Sequence, residues 1–181
     1  AAALEQGVSP DTTFSCSGSY MVGDKEFHCL GEHGTINMET ALEVSCNIYF
    51  IQLAQSFLPQ SILSISRSAG FERSFYLCDG ISSDSGLLPS LETLRTQPAA
   101  LANLSFGQGE LMLTPLHMAG FISAIASGGY YREPVLIEGL VDDSGSLYDV
   151  SEQQAPAKIL SDSAAGILKE YMINTVESGT G

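Results

Sequence analysis

Ser45 and Asn47 bracket Cys46 in Ala41-Leu42-Glu43-Val44-Ser45-Cys46-Asn47-Ile48-Tyr49-Phe50, and this Ser-x-Asn triplet is the most informative stretch of the chain. A serine hydroxyl is a poor nucleophile at its free pKa and needs a base beside it. Lysine is one such base, but the only lysines are Lys25, Lys158 and Lys169. Three residues before them stand Val22, Ala155 and Gly166, so the sequence holds no Ser-x-x-Lys pair. The residues after them are Glu26, Ile159 and Glu170, so it holds no Lys-Thr-Gly either. Ser-x-Asn triplets are common in loops, and taken alone this one could be chance. Residues two apart in a regular helix point about 200° from one another. Ser45 and Asn47 can therefore share a cleft only if the backbone breaks between them, which predicts a turn joining two helices at residues 45–47.

Other side chains could do chemistry, and each has a plainer reading. His33 and His117 could act as bases, although His117 follows Pro115 on a helix, where a capped surface position is expected. Glu110 reads as an anchoring hydrogen-bond acceptor. Gly107 and Gly109 answer a backbone demand for positive φ rather than forming a nucleotide loop, because no strand–Gly-rich–helix unit or Walker lysine accompanies them. Cys16 and Cys29, with His28 and His33, raise the question of zinc, but their spacing matches no standard ligand pattern and no metal site is expected. A Cys16–Cys29 disulfide stays open if the protein is exported, at the cost of some bulging. Cys46 and Cys78 read as free, small apolar residues.

Composition narrows the classes. With 181 residues, 44% hydrophobic and 15% charged, the chain has the size and make-up of one globular domain. A net charge of −14 with only seven Lys and Arg argues against nucleic acid and removes any basic patch for anionic lipid. No apolar run approaches the ~20 residues that span a bilayer. The opening Ala1-Ala2-Ala3-Leu4-Glu5-Gln6-Gly7 reads as the last turns of a helix closed by glycine, so the chain is expected to be an internal piece of something longer.

The positioning elements follow from local signals. Tyr20 to Phe27 reads as a hairpin turning at Gly23-Asp24, which sets Cys29 opposite Gly18. Asn37 can cap a helix from Met38, and Asn47 through Phe57 continue as a second. Pro59 to Ala69 is a short helix ended by Gly70, and Cys78 to Pro98 is expected to be loop. Thr114 caps a helix with Pro115 in its first turn, ended by Gly128-Gly129. Pro134 to Leu140 and Leu147 to Val150 form a second hairpin turning at residues 142–145. Ser161 caps the last helix.

These pieces, in order, resemble the transpeptidase domain of penicillin-binding proteins, the enzymes that cross-link bacterial peptidoglycan. The resemblance rests on Ala1 to Gly7, Phe14-Ser15-Cys16-Ser17-Gly18, His33-Gly34, Ala41-Leu42, Ser45-Cys46-Asn47-Ile48-Tyr49-Phe50 and Gly107-Gln108-Gly109-Glu110. Thr114-Pro115-Leu116-His117-Met118-Ala119, Ala126-Ser127-Gly128-Gly129 and Glu177-Ser178-Gly179-Thr180-Gly181 complete it. The Ser-Cys-Asn form and Gly-Gln-Gly-Glu look most like the membrane-anchored class B members. In the family, Ser-x-x-Lys precedes and Lys-Thr-Gly follows these pieces, so residues 1–181 read as one incomplete transpeptidase domain.

The resemblance implies an α+β, α-rich fold: part of the serine β-lactamase/penicillin-binding fold, mostly its helical subdomain with short hairpins. It implies a D,D-transpeptidase parent at the extracytoplasmic face of the cell membrane. Its substrate would be a stem peptide ending in D-Ala-D-Ala, its inhibitors β-lactams, and it would use no cofactor. By motif position Ser45 would relay a proton between the nucleophile's lysine and the leaving or attacking amine. Asn47 would hold that lysine and the substrate amide, while Cys46 points away and packs. The chain alone is expected to be inactive and, with sheet-facing helix surfaces exposed, to associate as a homodimer. The alternatives are a non-catalytic penicillin or peptidoglycan-binding sensor or pseudoenzyme, and a structural protein that shares only the helical layout.

Overall fold

A computed structural model describes residues 1–78, 80–148 and 154–181. Helix α1 (Ala2–Glu5) leads into strands β1 (Phe14–Cys16), β2 (Ser19–Val22), β3 (Lys25–His28) and β4 (Gly34–Ile36). β2 and β3 pair antiparallel, from Ser19 opposite His28 to Val22 opposite Lys25. β1 and β4 pair around them, with Phe14 opposite Ile36 and Cys16 opposite Gly34. One hairpin is thus nested inside a wider one. The inner hairpin's base is closed by the Cys29 N–H donating to Gly18 O at 2.9 Å, as its register predicts.

Helices α2 (Met38–Glu43) and α3 (Asn47–Gln55) follow. Asn37 caps α2 as expected, its Oδ1 accepting from Thr40 N–H at 3.1 Å. α3 is sealed into the core: Ile48, Tyr49 and Ile51 are fully buried, and the helix packs on β1 and on α6, introduced below. α4 (Pro59–Ser68) ends before Gly70, and β5 (Tyr76–Cys78) pairs with β6 (Ile81–Ser82).

The stretch from Cys78 to Pro98 departs from the expected loop. It contains α5 (Leu91–Thr96), capped by the Ser90 hydroxyl accepting from Thr93 N–H at 3.0 Å. α6 (Pro98–Ser105) abuts it, with Gln97 ending one helix and opening the next. Proline has no N–H to continue the first helix but suits the first turn of the second. Leu94, Leu101 and Leu104 are drawn into a second apolar cluster with Leu63 and Phe71.

α7 (Pro115–Ala126) begins at the Thr114 cap. β7 (Tyr130–Tyr131) pairs with β10 (Ala157–Lys158), and β8 (Leu140–Val141) with β9 (Leu147–Tyr148). The first strand of the second hairpin therefore starts at Leu140 and not at Pro134, and the expected end of the second strand at Val150 lies outside the described residues. α8 (Asp162–Ser178) starts at Ser161, whose hydroxyl accepts from Ala164 N–H at 3.1 Å. It packs along α2 and α7, and Asn174 Nδ2 donates to Glu39 Oε1 at 2.7 Å. Helices dominate and every described strand pairing is two-stranded, the α-rich α+β arrangement expected.

His117 is a correction. It is not at the surface but fully buried, because its ring serves both the α7 cap and a distant backbone carbonyl. The Thr114 N–H donates to Nδ1 at 3.1 Å, which places the ring proton on Nε2, 2.8 Å from Arg73 O. With its polar atoms satisfied, the imidazole can pack between Phe71 and Phe75. Gly107 and Gly109 meet the expectation of positive φ, at 79° and 84°.

Candidate functional site

The turn at residues 45–47 is where two helices break. The Cys46 N–H returns to Ala41 O at 2.8 Å, ending α2, while Ser45 adopts φ 53°. Ser45 is the one non-glycine with positive φ among the described residues. A non-glycine there costs on the order of 1 kcal/mol or more, a strain that clusters at functional positions. Cys46 then caps α3 with its sulfur, which accepts from Tyr49 N–H at 3.4 Å.

The break separates the three side chains. Cys46 points inward and is wholly buried, Ser45 is exposed and Asn47 is half-buried. Ser45 Oγ lies 2.6 Å from the Thr180 hydroxyl, beyond the end of α8. That end is docked onto the turn by the Thr180 N–H donating to Glu43 O at 2.9 Å. Asn47 Nδ2 donates to His28 O at 3.2 Å, tying the other flank to β3. Thr180 stands 135 residues from Ser45, so no local signal could have paired them.

Of the other sequence candidates, His117 and Glu110 lie apart from this turn, the former committed to the α7 cap. The side chain of His28 is largely exposed beside Glu26 at 3.9 Å, and only its carbonyl reaches the site. His33 faces inward: its Nδ1 lies 3.6 Å from Cys29 Sγ. Cys29 Sγ is 3.8 Å from Cys46 Sγ, and Cys16, Cys29, His33 and Cys46 bring their ligand atoms within 4.8 Å of one another. All four cysteines are free thiols, so Cys16 and Cys29 are not bridged. Burial pushes the Cys46 thiol up to about 12. Burial works against ionisation of Cys29 too, but N–H groups of Ile48, Asn47 and Leu30 and the Cys46 thiol hold it below the usual thiol range. Cys46 is thus the free, packed residue read from the sequence, and its sulfur also caps α3.

An apolar cavity of about 240 Å³ lies elsewhere, lined by Ala1, Phe50, Phe57, Leu104, Phe121 and Leu168 among others. It offers little polar chemistry. The exposed serine and half-buried asparagine on a strained turn, above a sulfur-rich floor, form the candidate site.

The fold and this turn define a class, and comparison with known proteins agrees. The chain belongs to the penicillin binding protein transpeptidase domain family, whose pattern it matches over residues 1–181. It is 32% identical over 149 residues to the penicillin-binding protein PbpB of Mycobacterium tuberculosis, covering 80% of this chain and 21% of that one. It is 23% identical over 180 residues to the peptidoglycan D,D-transpeptidase PbpA of Mycolicibacterium smegmatis, covering 96% and 36%. The D,D-transpeptidase domain of a peptidoglycan glycosyltransferase from Eggerthella lenta superposes with a TM-score of 0.87 at 24% identity, over 99% of this chain and 46% of that one. Penicillin binding protein 3 of M. tuberculosis, solved with aztreonam, gives 0.80 at 26% identity, over 99% and 42%. The chain spans between a fifth and a half of the length of these relatives.

Proposed function

We propose that this chain forms the Ser-x-Asn wall of a serine D,D-transpeptidase that cross-links peptidoglycan stem peptides and is acylated by β-lactams. The observation that carries the reading is the turn at residues 45–47, which separates Ser45 and Asn47 from the buried Cys46 and leaves Ser45 open to solvent. In such an enzyme a Ser-x-x-Lys serine attacks the D-Ala-D-Ala carbonyl and releases the terminal D-Ala. The acyl group then passes to an amine of a neighbouring strand or to water. Ser45 Oγ relays the proton between the lysine and the departing or attacking amine, with its hydroxyl oriented by Thr180. Asn47, anchored on His28 O, offers its amide to the lysine and to the substrate backbone. The substrate places the reaction at the extracytoplasmic face of the cell membrane. Among the described residues no helix is long and apolar enough to cross a membrane.

The 181 residues contain neither Ser-x-x-Lys nor Lys-Thr-Gly, so this chain by itself forms no acyl-enzyme. Intact-mass measurement after incubation with excess penicillin should return the unmodified mass. A stable adduct of one β-lactam would contradict the assigned roles. The face formed by α7 and α8, where Ile122, Ile173 and Val176 are exposed, is proposed to pair with a second copy of the chain.

A further inference from the structure

Cys16, Cys29, His33 and Cys46 are arranged to ligate a metal. The sequence spaces them as Cys-x12-Cys-x3-His-x12-Cys, and only the nested hairpins bring them together. Cys16 ends β1 opposite Gly34, Cys29 closes the inner hairpin opposite Gly18, His33 precedes β4 and Cys46 caps α3. Their ligand atoms lie within 4.8 Å of one another.

Two of the edges between these ligand atoms match those of a tetrahedron around zinc. Zn–S bonds of ~2.3 Å and Zn–N bonds of ~2.0–2.1 Å at tetrahedral angles give S–S edges of about 3.8 Å and S–N edges of about 3.6 Å. Cys29 and Cys46 sulfurs stand 3.8 Å apart, and Cys29 Sγ is 3.6 Å from His33 Nδ1. The same two separations also suit S–H···S and S–H···N hydrogen bonds, and the Cys16 thiol donates to Gly31 O at 3.6 Å, so it is the convergence of all four ligand atoms, with an imidazole nitrogen turned inward, that points to an ion. Cys16 and Cys46 are buried, whereas Cys29 and His33 are half-buried, which leaves a path for an ion on one side. The Tyr49 N–H at 3.4 Å from Cys46 Sγ supplies the kind of outer hydrogen bond that orients a thiolate ligand.

We infer that this chain binds one zinc ion through Cys16, Cys29, His33 and Cys46, as a structural site beneath the Ser45–Asn47 turn. Three thiolates and one imidazole fill the tetrahedron, so the site is closed to substrate. On binding, the three Cys S–H groups lose their protons to solvent, and the ion with its ligands carries a net charge of −1. Nothing is oxidised or reduced. The ion joins four elements around two-stranded ladders that are marginal by themselves. Because Cys46 lies between Ser45 and Asn47, it fixes the backbone that aims both. The inference stands on the cluster alone and would survive failure of the transpeptidase reading.

The test uses the 181-residue protein, reduced, stripped with chelator and titrated with Co²⁺ and then Zn²⁺. The expected result is one equivalent bound, strong visible bands and a sulfur-to-cobalt charge-transfer band of tetrahedral thiolate coordination, and a thermal midpoint raised by metal and lowered by chelator. His33→Ala and Cys16→Ser should weaken binding by more than the ~10–100-fold that losing an outer-sphere partner costs. His28→Ala and Cys78→Ser should leave it unchanged. Weak octahedral cobalt spectra, binding well below one equivalent, or equal loss with His28→Ala would overturn the assignment. So would a Cys16–Cys29 disulfide in freshly purified protein that persists with zinc present. The wild-type spectrum decides coordination even if a cysteine variant fails to fold.

Discussion

Ser45, Asn47 and Cys46 divide three tasks among three adjacent residues. The serine presents a hydroxyl, the asparagine braces against His28 O, and the cysteine closes the floor. Tyr49, one turn along, is fully buried, and its hydroxyl donates to Thr12 O at 2.8 Å. Burial, with the nearby Tyr171 adding to it, pushes its phenol from the ordinary 10 up to about 12. The unfolded chain therefore loses this proton first. The stability it contributes is complete below pH 10 and declines as pH rises towards 12. Tyr49→Phe should thus be less stable than wild type at pH 8, with the gap narrowing through that alkaline window. Urea midpoints of the two proteins from pH 8 to 11.5 would check it, and a constant gap would contradict the burial argument.

The turn between α2 and α3 depends on a left-handed residue that carries a side chain. Ser45→Gly removes the steric cost at φ 53°, whereas Ser45→Val adds a β-branch to it. The valine variant should be less stable than the glycine variant by about 1–3 kcal/mol in urea unfolding. Equal stabilities would mean that the turn is not strained. Elements closed by short-range chemistry were legible in the sequence: the Asn37, Thr114 and Ser161 caps and the Gly23-Asp24 hairpin turn each need only a few consecutive residues. The break at 45–47 was legible too, because side chains two residues apart can face one cleft only if the helix breaks between them. α5 and α6 were not, since a six-residue helix in a Ser- and Pro-rich stretch owes its stability to Leu94 and Leu101 reaching a distant core. Burial of His117 depends on Arg73 O, 44 residues away, and the contact of Ser45 with Thr180 on a separation of 135. The metal-ligand cluster was legible in part: Cys16, Cys29 and His33 raised the question of zinc, but Cys46 takes the place given to His28. Its members are scattered over thirty residues, and only the nesting of β2–β3 within β1–β4 makes them neighbours.

At the scale of the whole molecule, the buried core surrounds α3, whereas the α7–α8 face remains apolar and open. Ile173 and Val176 are 47% and 71% exposed there, beside Ile122. Apolar surface of this kind favours association. Sedimentation velocity should show dimer growing with concentration, and Val176→Lys should suppress it. A single monomeric species across the range would contradict the pairing. The centre of the account, however, is the chemical role of the Ser45–Asn47 turn. It is tested most directly by the rate of acylation with a fluorescent penicillin, in a protein that carries this chain between Ser-x-x-Lys and Lys-Thr-Gly. The account predicts labelling of the Ser-x-x-Lys serine, slowed by about 100-fold or more in Ser45→Ala and Asn47→Ala while both variants keep the wild-type melting profile. Labelling at the wild-type rate in both variants, or none in the parent, would contradict it.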